Sequence, residues 1–157
     1  GYNAFAVAAF SEELFKFIAV FLLIWWNKNF NEKFDGIVYA VFVSLGFAAV
    51  ENVLYVSDFG IKTGIIRAFT AVPGHAVDGI FMGYQFGLAK FFPEQRNKRL
   101  LLAFVVPFTF HGIYDFIVMS QWSITLWIFI PFLIFIFIRG FRRMKTHSDN
   151  SRYRFMK

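Results

Sequence analysis

Five carboxylates, two imidazoles and one ammonium lie inside stretches that are otherwise almost wholly apolar: Glu12, Glu13, Lys16, Glu51, His75, Asp78, His111 and Asp115. Stretches of this length and hydropathy read as membrane-spanning helices. An ionisable side chain at bilayer depth costs at least about 2.5 kcal/mol on insertion scales, so it marks a functional site by default. Acids within reach of histidines can activate water, stabilise an oxyanion or ligate a metal.

The spacing refines the chemistry. In Glu12-Glu13-Leu14-Phe15-Lys16, Lys16 lies one helical turn from both glutamates. An ion pair with Lys16 neutralises one acid and leaves the other available as a general base on water. Glu51 can ligate a metal or orient a histidine, and the neighbouring Asn52 can donate its amide to a developing oxyanion. His75 follows Pro73-Gly74, a pair expected to kink or unwind its helix; broken backbone at this depth is tolerated only against protein or a water-filled cavity. His111 follows Pro107 by one turn and precedes Asp115 by one turn, so Asp115 can fix the tautomer of the imidazole. Asp78, one turn after His75, either supports that ring or packs. His147 lies in a basic tail and reads as solvated.

The elements that must position these groups follow from the apolar runs. The chain is 58% hydrophobic and 22% aromatic, with 25 Phe, and its mean hydropathy is +0.55. This composition fits one polytopic membrane domain. The absence of cysteine excludes disulfides, thiolate metal sites and a cysteine nucleophile. Segment A runs Ala4–Trp26, B Gly36–Ser57, C Ile66–Ala89, D Leu100–Met119 and E Trp122–Ile138. Polar loops occupy Asn27–Asp35, Asp58–Gly64 and Lys90–Arg99. The transmembrane domain is thus 1–138, and 139–157 is a basic tail.

The net charge of +6 does not point to nucleic acid, because the basic residues crowd into the A–B loop, the C–D loop and the tail. By the positive-inside rule these face the cytoplasm, and Gly1 starts outside. Trp25, Trp26, Trp122 and Trp127 sit near segment ends as interfacial anchors. Counted from the outer ends, Glu12, Glu51, His75 and His111 all lie about 9–13 Å deep. Four helices, two running each way, therefore bring their polar residues to one level in the outer half of the bilayer.

This set suits hydrolysis of a carbonyl compound, with a glutamate activating water and a histidine with Asn52 holding the oxyanion. It equally suits a divalent metal such as zinc on His75, His111 and Glu51, with a second glutamate as base. There is no HExxH motif. A serine triad on Ser11 or Ser44 lacks a nucleophile elbow. From a different class, the polar cluster could serve as a proton or ion path in a small transporter, although no repeated halves are visible. A non-catalytic scaffold is the third reading.

The order SEELFKF, DGIVYAVFVSLGFAAVENVLY, RAFTAVPGHAVDGIFMGY and VVPFTFHGIYDF resembles the PrsW family of bacterial intramembrane proteases. That family shares a superfamily with the CAAX prenyl proteases and bacteriocin-processing enzymes, whose members are the nearest alternative reading. The resemblance covers Phe10 to Phe116 and rests on four motifs in order. It implies an all-α bundle of about five membrane helices in the bacterial cytoplasmic membrane, multi-pass, with its C-terminus cytoplasmic. It also implies site-1 cleavage of a single-pass anti-sigma factor on the extracytoplasmic side. Glu12 and Glu13 match the paired glutamates with Lys16 beside them, Glu51 and Asn52 the FxxxEN motif, His75 the first histidine, and His111 with Asp115 the HGxYD segment. Asp78 matches no family role. Family members usually carry further membrane helices ahead of the first motif.

Overall fold

Helix satisfies its own backbone in lipid without a partner strand, and it is the only regular structure among the described residues. The computed structural model describes residues 9–119 and 125–151. Trp122 and the start of segment A before residue 9 lie outside these residues. Five long helices correspond to the five expected spans: α1 (Phe10–Ile24), α2 (Lys33–Phe59), α4 (Ala71–Phe91), α5 (Arg96–Met119) and α6 (Thr125–Asp149). A short α3 (Ile61–Phe69) joins α2 to α4. The 27-residue stretches Lys33–Phe59 and Pro93–Met119 each hold an 18-residue window, of mean hydropathy 1.9 and 1.8, and are long and apolar enough to cross a membrane.

Helix α4 is the axis of the bundle. Most of its residues are buried, including His75 and Asp78. Three of its glycines, one turn apart, let it lie directly on the backbone of α2. A Cβ at Gly83 would fall 2.2 Å from the Gly36 carbonyl oxygen, and one at Gly87 2.3 Å from that of Lys33. At Gly79 the nearest atoms, including Ala40 O and Ser44 Oγ, would lie at 2.9 Å. Such small-residue seams bring membrane helices into backbone contact. They also explain Ser44: it is fully buried in this seam and not available as a nucleophile. Outside the core, side chains such as Phe42 (73% exposed) and Trp127 (81%) turn outward, the arrangement lipid favours.

Three expectations about element boundaries are corrected. The loop expected at Asp58–Gly64 is mostly helix: α2 runs to Phe59, Gly60 turns the chain at φ 84°, and α3 begins at Ile61. Helix α3 escapes a polarity reading because it is short and two-faced, with Ile61, Ile65, Ile66 and Phe69 exposed and Gly64 buried. The break expected at Pro73-Gly74 falls instead at Thr70, where φ is −121°. Pro73 sits in the first turn of α4, where its missing N–H costs nothing. Finally, α6 continues past Ile138 to Asp149, and His147 is buried rather than solvated. Its Nε2 donates to the Tyr84 carbonyl at 3.1 Å, and its ring stacks on Tyr84 at 4.2 Å.

Candidate active site

The inner side of the site is built on α1. Glu13 and Lys16 are both wholly buried. They meet at 2.6 Å, as one helical turn dictates. The Lys16 ammonium, which can only donate, also reaches His75 Nδ1 at 2.8 Å. His75 therefore accepts on Nδ1 and carries its proton on Nε2, which donates to Glu51 Oε2 at 2.9 Å. The same Glu51 oxygen receives the Arg67 guanidinium at 2.8 Å. On the other side, His111 Nδ1 donates to Glu13 Oε1 at 2.8 Å. An unbroken chain of charged and imidazole groups thus runs Arg67–Glu51–His75–Lys16–Glu13–His111 across five helices. Each side chain in it meets at least one partner, although Glu13 Oε2 and Arg67 Nε are buried without a hydrogen bond.

His111 Nε2 faces two further carboxylates, Asp115 at 3.5 Å and Glu12 at 3.7 Å. The Asp115 approach is the one expected from their one-turn spacing. Asp78, left open between support and packing, lies 3.9 Å from His111 Nδ1. The two imidazole rings stand nearly perpendicular, with centroids 5.1 Å apart.

These groups border a polar cavity whose empty volume is about 510 Å³, its open mouth included. Glu12, Glu51, His75, Asp78, His111 and Asp115 line it, with Tyr55, Arg67 and Tyr114. Adjacent in sequence, the two glutamates separate in space. Glu12 is on the cavity wall, and its buried Oε2 has no hydrogen-bond partner. Glu13 is not among the lining residues, and its Oε1 is held by Lys16 and His111.

Asn52, expected as an oxyanion donor, is not on the cavity wall. It lies toward α3, where its amide donates to the Gly64 carbonyl at 3.3 Å. Of the trio expected to bind a metal, His75 comes close to both of the others, falling in one group with Glu13, Asp78 and His111 and in a second with Glu12 and Glu51. Arg67 was readable only as a charge at the start of segment C. Its role at the cavity mouth comes from α3, which carries it onto Glu51 and over the Tyr55 ring at 3.7 Å.

An all-α membrane bundle that opens a cavity lined by carboxylates and imidazoles has the groups that a membrane-embedded hydrolase needs. Comparison with known proteins gives the family. The chain belongs to the PrsW family, whose description, PrsW family intramembrane metalloprotease, matches residues 1–139. It is 42% identical over 149 residues to "Protease PrsW" of Oceanobacillus iheyensis, covering 95% of this chain and 69% of that protein. Identity to "Protease PrsW" of Geobacillus kaustophilus is 37% over 148 residues (93% and 66%). To that of Bacillus subtilis it is 38% over 145 residues (90% and 65%). The chain spans about two thirds of the length of these relatives. No solved structure matches.

The family description implies a metal, and two groups of side chains can be tested for it. Glu13, His75, Asp78 and His111 bring ligand atoms within 4.8 Å of one another, as do Glu12, Glu51 and His75. In the inner group the Lys16 ammonium already occupies the position of the cation, between Glu13 and the His75 Nδ1 lone pair. The outer group lines the cavity, offers oxygen and nitrogen ligands of the kind zinc takes, and includes the Glu12 oxygen without a hydrogen-bond partner; a metal there would have to displace the proton that His75 Nε2 gives to Glu51.

Proposed function

We propose that this chain carries the catalytic machinery of an intramembrane endopeptidase. Its substrate is a single-pass membrane protein, cut near the extracytoplasmic face; an anti-sigma factor cut at site 1 is the specific expectation. The observation that carries the reading is the Glu12 carboxylate, whose buried Oε2 has no hydrogen-bond partner, on a cavity wall shared with Glu51, His75 and His111.

In this mechanism Glu12 takes a proton from a water as the water oxygen attacks the scissile carbonyl carbon. His111, with Nε2 between Glu12 and Asp115, is within reach of the oxyanion that forms. The carbon–nitrogen bond then breaks, and the proton held by Glu12 passes to the leaving amine. Glu13 and Lys16 position His111 and His75 from below. A divalent metal held by Glu51 and His75 would supply a Lewis acid for the carbonyl and leave Glu12 as the base. The five long helices cross the bilayer, and the basic residues favour a cytoplasmic C-terminus.

The test is reconstitution of the chain in vesicles with a panel of single-pass peptides, the cut mapped by mass spectrometry. A cut within about two turns of the outer boundary supports the reading. Cuts confined to a cytoplasmic C-terminal motif favour a CAAX-type peptidase, and ion flux without any cut favours a transporter.

A further inference from the structure

A second opening reaches the same carboxylates from the side. Val43, Gly46, Phe47, Val50, Glu51 and Leu54 recur at helical spacing along one face of α2 and, with Glu12 of α1, line a cleft whose empty volume is about 680 Å³. Glu12 and Glu51 belong to both this cleft and the polar cavity, so the two adjoin at these carboxylates. Every other lining residue is apolar or glycine. Val50 and Leu54 remain 65% and 59% exposed, and a Cβ added at Gly46 would meet nothing within 4 Å. Phe47 separates the cleft from the inner network, its ring centroid 5.0 Å from the Lys16 ammonium.

We propose that the cleft between α1 and α2 seats the transmembrane segment of the substrate and delivers the adjoining peptide bond to Glu12. The inference rests on the proteolytic reading above and names its docking surface. The occupant follows from the walls: an apolar trough at bilayer depth that ends on carboxylates fits an apolar helix followed by a polar, extended backbone. A water-soluble peptide gains nothing from the trough and enters the polar cavity by its mouth.

The test uses the chain reconstituted in vesicles and two synthetic probes with the same scissile sequence. One carries an apolar segment of about 20 residues; the other is a short soluble peptide. Gly46→Leu and Gly46→Trp put bulk into the cleft at a position where the first added carbon meets nothing within 4 Å, and Val53→Trp places bulk on α2 outside it. Gly46→Leu should lower cleavage of the anchored probe about tenfold, and Gly46→Trp more, while soluble-probe cleavage stays within about twofold. Val53→Trp should change neither. Unchanged anchored cleavage in Gly46→Trp overturns the proposal. Equal loss of both probes together with lowered thermal stability overturns it as well, because it means that another helix of the protein packs there. An unmodified chain that cuts neither probe sinks the proteolytic reading and the cleft with it.

Discussion

Gly83→Ala tests how tightly the packing of α2 on α4 sets the site. The added Cβ would lie 2.2 Å from the Gly36 carbonyl oxygen and 2.5 Å from the Ile37 Cα, where ordinary contact begins at 3.4 Å. Both obstacles are backbone, so no rotamer change relieves them, and the helices must part by about 1 Å. Overpacking of this kind costs about 1–3 kcal/mol. The better helix propensity of Ala returns about 0.5–1 kcal/mol of that, leaving a net loss of roughly 1–2 kcal/mol. The consequence reaches the site because α2 carries Glu51 and α4 carries His75. Their hydrogen bond is 2.9 Å long, and about 1 Å of separation breaks it. Misplacement on that scale costs about 10²-fold in rate. The assay pairs denaturant unfolding in bicelles with cleavage of a membrane-anchored probe. Gly46→Ala is the control, since its Cβ meets nothing. A Gly83→Ala chain as stable and as active as its parent would refute the reasoning.

Lys16→Met should destabilise the chain by about 3–5 kcal/mol, because it leaves the buried Glu13 carboxylate without its cation; adding Glu13→Gln should recover most of that in the same unfolding assay, and strict additivity would count against the pairing. Arg67→Gln should lower kcat about tenfold by releasing Glu51 from one of its two partners; Arg67→Lys should restore part of it, and a pure KM effect would contradict the positioning role. Elemental analysis of purified chain should find divalent metal lowered by Glu51→Gln and by His75→Ala but retained in Asp78→Asn, if the outer group is the metal seat.

The chemistry-bearing residues were readable where one helix holds both partners. Lys16 with Glu13, and His111 with Asp115, follow from one-turn spacing, and both contacts are present. Matched depth placed Glu12, Glu51, His75 and His111 in one site because helix rise is nearly constant. What failed depends on direction between helices. The sequence cannot tell which of two adjacent glutamates faces the cavity, since neighbours differ by about 100° around the axis. Asn52 was assigned to the substrate side, yet the backbone of α3 claims its amide. Arg67 fell at the start of segment C, where nothing in the sequence showed that a separate short helix, α3, carries it onto Glu51. His147 was read as solvated because its partner is a backbone carbonyl on a distant helix. The seat of Gly79, Gly83 and Gly87 on Lys33, Gly36, Ala40 and Ser44 went unread, because it needs the register of α2 against α4.

The division of labour between the paired glutamates is the point on which the account turns. It is tested by measuring cleavage of one anchored probe in vesicles by the parent, Glu12→Gln and Glu13→Gln chains, alongside their unfolding midpoints. Glu12→Gln should lose about 10²–10⁴-fold in kcat, the range for a general base, with stability near that of the parent. Glu13→Gln should be the less stable of the two variants. Full activity in a folded Glu12→Gln chain would contradict the account.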